Sequence, residues 1–170
     1  LMGTTDNGNG FPVAVGPDQT FNGGKDVFVA RVAATGNALE FCGYIGGSQD
    51  DVGCWLALDN NNNIYITGYT ASAPGHQFPV KTGPKLTHSG GLDAFVTKVS
   101  SSGTSLIYCG YIGGTADDYG TGIAVDSAGC AYVTGTTVSS KGFPVIVGPD
   151  TSYNGGGDAY VAKVKADGSA

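Results

Sequence analysis

Short runs of apolar and β-branched residues recur along the whole chain, separated by turns rich in Gly, Asn, Asp and Pro. In residues 27–32, VFVARV, only Arg31 is charged, and the related runs at 94–99 and 159–164 have the same character. Strands that read as nearly continuous apolar runs are typical of sheets covered on both faces, whereas a half-exposed sheet shows strict alternation. The pattern therefore predicts an all-β fold of antiparallel strands that are packed on both sides.

An internal repeat governs the order of these runs. Three motifs mark it: FPV begins at Phe11, Phe78 and Phe143; a run headed by Asp begins at Asp26, Asp93 and Asp158; and CGYIGG begins at Cys42 and Cys109. Successive copies lie 67 and then 65 residues apart. The middle copy has two extra residues within 69–78, and because insertions fall in surface loops, we predict a loop there.

Turn signals divide each full copy into four predicted strands, which we label a to d. Strands a and b are joined by polar turns, and strands c and d by the turns ATGN, SSGT and ADGS. A long loop between b and c contains prolines, which remove backbone donors and keep the loop out of the sheet. The predicted bounds are 55–58 and 123–125 for a; 64–68 and 131–135 for b; 27–32, 94–99 and 159–164 for c; and 39–45 and 106–112 for d.

A repeated four-stranded antiparallel sheet covered on both faces matches the blade of a β-propeller. A stacked β-solenoid is the main alternative, but its coils are usually much shorter than this repeat. We expect a partial blade at 1–47, a complete blade at 48–114 and a blade lacking its last strand at 115–170, about two and a half blades in all. Because open blade ends expose apolar faces and unpaired edges, we expect further chain or neighbouring subunits to cover them.

Composition narrows the class of protein further. Thirty glycines suit a chain with many tight turns, and the hydrophobic share of 41% argues against disorder. The net charge of −6, with only eight scattered Lys and Arg, argues against a nucleic-acid-binding surface, which needs clustered basic residues. No apolar run approaches the roughly 20 residues of a membrane-spanning helix. Low charge and frequent Thr, Ser, Asn and Gly suit a protein outside the cell.

One carboxylate and two amide side chains in one turn offer oxygen ligands for a candidate metal site. Asp59, Asn61 and Asn63 match the opening of a calcium loop, D-x-N-x-N. The glycine and the distal glutamate of such a loop are missing, and the equivalent turn at 126–130 lacks the pattern. An Asx turn that caps a hairpin is the alternative interpretation of the same residues.

Other acidic residues recur at the same place in each copy and are therefore expected to be structural. A residue needed once for catalysis has no reason to appear in every copy. We predict that the Asp at the start of each strand c accepts backbone N–H bonds, and that the paired Asp residues before strand a form turns. The structural repeat positions are Asp26, Asp93 and Asp158; Asp50–Asp51 and Asp117–Asp118; and Gly68 and Gly135.

Residues that occur in only one copy are the better functional candidates. His76 and His88 lie in the loop of the middle copy, and without a third ligand in the sequence they give only a weak metal signal. Trp55 is predicted to be a core residue near the hub of the blades. Loop tyrosines such as Tyr69 and Tyr153 have flat rings that could stack on sugars or equally pack as lids.

Four cysteines are present, and none forms a C-x-x-C pair, which argues against a zinc site. Cys42 and Cys109 hold equivalent positions in adjacent copies, where Cα atoms are usually too far apart for a disulfide. Disulfides and free buried thiols both stay open for the set Cys42, Cys54, Cys109 and Cys130.

The repeat resembles a known family. The string DDYGTGIAVDSAGCAYVTGTT at 117–137, followed by FP, GG-x-D-A-[FY]-V-x-K-V and Y-x-G-Y-I-G-G, is similar to the bacterial seven-bladed β-propeller repeat family, the SBBP-type repeats, and more distantly to NHL repeats. The resemblance covers nearly the whole chain. It implies a propeller and an extracellular setting and supplies no catalytic residue. The chain departs from the family pattern at Cys42 and Cys109, where Ser or Thr is frequent, and at Cys54 and Trp55.

These observations favour a structural or interaction protein of the cell exterior. It would be a scaffold, fibre or surface-layer component that assembles through its open blade ends with copies of itself or further repeats. The alternative is a carbohydrate- or protein-binding propeller module. No Ser-His-Asp, P-loop or Rossmann signature is present, so we expect no enzyme and no cofactor, with calcium left open. A hydrolase or lyase on a propeller scaffold has the least support.

Overall fold

Ten strands form three antiparallel sheets in the computed structural model, which describes all 170 residues of the chain. Apart from the strands, one 3₁₀ turn is present, at Pro74–His76. The first sheet has the order β1 (Met2–Thr5), β2 (Asp26–Val32), β3 (Leu39–Ile45); the second β4 (Asp51–Leu58), β5 (Ile64–Thr70), β6 (Asp93–Val99), β7 (Leu106–Ile112); and the third β8 (Asp118–Val125), β9 (Ala131–Thr137), β10 (Asp158–Val164).

The all-β fold predicted from the sequence is confirmed, and the sheets do not close into a ring. β3 and β7 have the bounds predicted for strand d. Each example of strand c begins one residue earlier than predicted; these strands are β2, β6 and β10. Every residue of β6 is buried, as expected of a strand covered on both faces. The middle sheet therefore has the make-up of a four-stranded propeller blade.

The middle sheet holds the core of the chain because it packs against a neighbouring sheet on each face. On one face, Ile66 and Phe95 lie in an apolar cluster with Val29 of the first sheet. On the other face, Tyr65 lies in a second cluster with Val133 of the third sheet. Consecutive strand residues point to opposite faces, so Tyr65 and Ile66 serve different interfaces. Each such fully buried large side chain contributes about 1.5–3 kcal/mol.

Strand a differs most from its prediction. β4 and β8 begin at Asp51 and Asp118, several residues before the predicted starts. Each strand carries a β-bulge, at 53–55 and at 120–122, which breaks the two-residue period on which a sequence pattern depends. Trp55 lies directly at the bulge and is 58% exposed, so the prediction of a core residue was wrong.

Gly68 and Gly135 lie in strand b beside these bulges. A Cβ on Gly68 would collide with the carbonyl oxygen of Val52, and a Cβ on Gly135 with that of Tyr119. Glycine recurs at this position because the bulged strand brings its backbone too close for any side chain.

The loop between strands b and c covers the outer edge of strand d. Residues 81–85 run along β7, and residues 14–18 run along β3 in the same way. We call each of these segments a clasp. The approach requires glycine, because a Cβ on Gly110 would lie only 2.9 Å from the Cα of Gly83. Three backbone bonds join the clasp to β7: Lys81 N–H to Cys109 O (2.9 Å), Cys109 N–H to Thr82 O (3.1 Å) and Tyr111 N–H to Lys85 O (2.8 Å).

The insertion of the middle copy contains the 3₁₀ turn, and the residue that follows the turn, Gln77, has a φ of 68°. The carbonyl of His76 accepts the Ser48 N–H at 2.7 Å. In the last copy, which lacks the insertion, the carbonyl of Lys141 accepts the Thr115 N–H at 3.0 Å. The two extra residues therefore change the loop without removing its backbone link to the sheet.

Candidate functional site

β10 pairs with β9 on one side and with no strand on the other. Between β10 and residues 145–150 lies a groove of about 520 Å³, whose lining includes Phe143, Tyr160 and Val161. We call it the edge groove. By their place in the repeat, residues 146–150 correspond to the clasps of the other two sheets.

A strand fills the same place in the other two sheets. β3 lies between β2 and its clasp, and β7 lies between β6 and its clasp. Val29 and Val96 are fully buried there, whereas Val161, which holds the same repeat position, is 64% exposed. The edge groove therefore has both walls of a site for a strand d.

Buried carboxylates lie where one sheet passes to the next. Asp26 and Asp93, the first residues of β2 and β6, are fully buried. Asp158 is the first residue of β10 and is half-buried. Each accepts a backbone N–H at Oδ2 from the residue four positions earlier. The donors are Asn22 (2.9 Å), Ser89 (2.8 Å) and Asn154 (2.8 Å).

A second set of carboxylates begins the next sheet in each case. Asp51 and Asp118 are fully buried first residues of strands, so the predicted turn role does not hold for them. Asp51 Oδ2 accepts the Gly47 N–H (2.6 Å) and the Ser72 hydroxyl (3.0 Å), and its Oδ1 accepts the Thr70 hydroxyl. This network ties the start of β4 to the end of β5.

Asp118 repeats part of this arrangement. Its Oδ2 accepts the Gly114 N–H (2.6 Å) and the Ser139 hydroxyl (2.8 Å). Asp50 and Asp117, which precede Asp51 and Asp118 in the sequence, make different contacts. Asp50 forms an exposed ion pair with Lys25 (3.2 Å), and Asp117 Oδ1 accepts the Leu92 N–H (2.9 Å).

Burial is the main cause that raises the pKa of Asp26, Asp51 and Asp93 to about 6. Hydrogen bonds to the charged carboxylates act in the opposite direction. A neighbouring carboxylate adds to the rise, Asp51 in the case of Asp26 and Asp118 in the case of Asp93. The sequence shows that Asp recurs at these positions, but it does not show that the carboxylates of two neighbouring sheets lie close together.

The residues predicted as a calcium turn satisfy one another. Asp59 Oδ1 accepts the N–H groups of Asn61 and Asn63 (both 2.9 Å), and Oδ2 accepts the Tyr65 hydroxyl (3.2 Å). Lys98 Nζ lies 3.5 Å from the same Oδ2, and both side chains are nearly buried. Burial alone would raise the pKa of Asp59, but these hydrogen bonds outweigh it and lower the pKa to about 2. The charge is balanced within the chain, and calcium here stays a prediction.

The histidines of the middle loop occupy separate local settings. His76 lies in the 3₁₀ turn. His88 Nε2 lies 3.4 Å from Thr70 O, and its ring stands edge-on to Tyr111 with centroids 5.6 Å apart. In the other copies this position holds Phe21 and Tyr153, so His88 takes the place of an aromatic packing residue.

Other candidates are likewise spread over the fold. Tyr69 packs edge-on against Tyr119, with ring centroids 5.0 Å apart. No group of three or more His, Cys, Asp or Glu side chains is arranged so that it could hold a metal ion. No helix has the length and apolar character needed to cross a membrane.

All four cysteines carry free thiols. Cys42 and Cys109 are buried within the strands d, while Cys54 and Cys130 are half-buried. Burial raises the pKa of the Cys109 thiol to about 12, which keeps it in the unreactive neutral form.

A comparison with protein families agrees with this architecture. The family model described as beta-propeller repeat, SBBP, matches residues 44–76 and 107–144. Each match runs from strand d of one sheet through strands a and b of the next, and so spans a junction between sheets. The resemblance to SBBP-type repeats is thereby confirmed. No curated protein matches the chain.

Proposed function

We propose that this chain, which contains two repeats of the SBBP β-propeller family, is an extracellular interaction module that assembles through the open edges of its blades. Its role would be that of a scaffold or of a component in a fibre or surface layer. The observation that carries the proposal is the edge groove, where β10 faces no strand although β2 and β6 each have one.

The groove indicates the kind of partner it fits. β3 and β7 share the sequence CGYI, and each is bonded by a strand on one side and by a clasp on the other. The clasps approach these strands at Gly16 and Gly83, and Gly148 holds the same position beside the edge groove. A strand from another propeller repeat, or from another copy of this chain, therefore suits the groove by β-strand addition.

Low charge suits a structural role, and we propose neither an enzymatic activity nor a cofactor. Only 13% of the residues are charged, and the net charge is −6. Assembly would then depend on backbone bonding and apolar burial and would be only weakly sensitive to salt.

The substitution Val161→Lys tests the proposal. Val29 and Val96 are fully buried once their strand d is in place, so a lysine at 161 would have to lose its hydration when a strand is added. We expect concentration-dependent larger species for the unmodified chain by sedimentation velocity and electron microscopy, and a monomer for Val161→Lys. Leu86→Lys is the matched control, because Leu86 is 48% exposed in a loop and outside the groove lining.

Two results would contradict the proposal. One is a monomer at every concentration. The other is an assembly that Val161→Lys leaves intact. A monomer that also binds in a glycan array would favour the alternative of a carbohydrate-binding propeller module.

A further inference from the structure

The buried carboxylates at the sheet junctions approach each other in pairs. A Cβ on Gly46 would lie 2.5 Å from Asp26 Oδ1 and 3.0 Å from Asp51 Oδ2, so both oxygens face the same side of that glycine. The second junction repeats the arrangement 67 residues later. There the glycine is Gly113, and the two oxygens are Asp93 Oδ1 and Asp118 Oδ2.

The two carboxylates of each pair differ in the number of hydrogen bonds that they accept. Asp51 and Asp118 accept two donors at Oδ2. Asp26 and Asp93 accept a single backbone N–H at Oδ2, and their fully buried Oδ1 atoms have no partner. Asp118 Oδ1 is also without a partner. A buried carboxylate oxygen without a donor is unfavourable, and two close carboxylates cannot both remain ionised at low cost.

We propose that each junction holds a carboxylic acid–carboxylate pair in mildly acidic to neutral solution. Asp26 and Asp93 carry a proton, taken from solvent, on Oδ1 and donate it to Oδ2 of Asp51 and Asp118. The shared proton removes one negative charge from each junction and gives the Oδ1 atoms of Asp26 and Asp93 a partner. It thereby joins the first strand of one sheet to strand c of the sheet before it.

The charged groups around the two carboxylate pairs differ. At the first, Lys25 is directed to Asp50 rather than to the pair, and no cation faces it. At the second, the Lys85 ammonium donates to Gly113 O (2.7 Å), and Lys85 and His88 oppose part of the rise that burial causes in the pKa of Asp93. The titratable groups that face the pairs are Asp18, Asp50, Tyr44, Tyr111 and Cys109 at the first and Lys85, His88, Tyr111 and Tyr160 at the second.

Sharing a proton makes the fold more stable in mild acid. The pKa of Asp26 and Asp93 is about 6 in the folded chain against 3.8 ordinarily, so the folded state binds the proton more tightly. The gain is complete below 3.8 and is lost as the pH rises through about 6. Between pH 5 and pH 8, the folding equilibrium constant should fall about tenfold for each junction.

The double variant Asp26→Asn/Asp93→Asn tests the proposal in the full chain. An asparagine amide donates to the partner carboxylate at any pH, while its oxygen accepts the same backbone N–H. In urea unfolding, the midpoint of the unmodified chain should fall from pH 5 to pH 8. The double variant should show a clearly smaller fall, since only the burial of Asp51 still raises a pKa in this range, and should match or exceed the unmodified chain at pH 8. Asp167→Asn, which removes an exposed carboxylate that is not among the groups facing either pair, is the control and should keep the unmodified pH dependence.

Infrared spectroscopy gives a second readout that does not depend on the variants folding. At pH 5 the unmodified chain should show the carbonyl stretch of a buried protonated carboxylic acid, and its absence would overturn the proposal. A double variant that is less stable at pH 8 and keeps the pH dependence would also overturn it. So would a rise of the unmodified midpoint with Ca²⁺ that the double variant lacks, since a cation would then hold the pair.

Discussion

Replacing Gly110 by alanine should loosen the clasp on β7. The new Cβ would lie 2.8 Å from Lys85 O and 2.9 Å from Gly83 Cα, so the clasp would have to move away. Three backbone hydrogen bonds hold the clasp, each with a net value of about 1 kcal/mol. Alanine recovers about 0.5–1 kcal/mol by restricting the unfolded chain. The free energy of unfolding should therefore fall by about 2 kcal/mol.

Chemical denaturation measures this loss, and amide exchange locates it. The exchange of the Cys109 and Tyr111 amides should accelerate most, because their acceptors lie in the clasp. Gly75→Ala is the matched control, since a Cβ there has no neighbour within 4 Å and its backbone φ is not positive. The control should stay within about 0.5 kcal/mol of the unmodified chain. Equal stability of both variants, with unchanged exchange at β7, would refute the role of the clasp.

Two further predictions concern the hairpin turns and the thiols. Asp59→Asn leaves the nearly buried Lys98 ammonium without its counter-charge, and urea unfolding should show a loss of about 3 kcal/mol in the free energy of unfolding. Asp126→Asn is the control in the equivalent turn, and because the ion pair there is more exposed, the loss should be much smaller. The contribution of Asp59 should also disappear as the pH falls from about 4 to about 2, because its pKa is lowered to about 2 in the folded chain. Under native conditions at pH 8, alkylation followed by mass spectrometry should label Cys130 well before Cys109, and equal rates would contradict the burial of Cys109.

The strands c and d could be predicted closely because their sequences are nearly unbroken apolar runs bounded by turns. The bounds of β3 and β7 agree with the prediction to the residue. Strand a was predicted too short because the bulge interrupts the alternation of its side chains. For the same reason Trp55, which looked like a core residue, lies exposed beside the bulge.

The contacts between sheets could not be predicted from sequence periodicity. Asp26 and Asp51 are 25 positions apart, and only the stacking of one sheet on the next brings both to Gly46. Their recurrence suggested a structural role but not a pairing of carboxylates. The edge groove is likewise a consequence of sheet order, since Val161 has the same sequence setting as the buried Val96.

The central claim is that the edge groove takes a strand d, and a peptide tests it most directly. A synthetic peptide of residues 106–114, LIYCGYIGG, should bind the chain under reducing conditions and slow the amide exchange of Val161. The same peptide with Gly110→Val should not bind, because Gly148 would face its new side chain as Gly83 faces Gly110 in the middle sheet. Failure of the first peptide to bind, or equal binding of both, would contradict the claim.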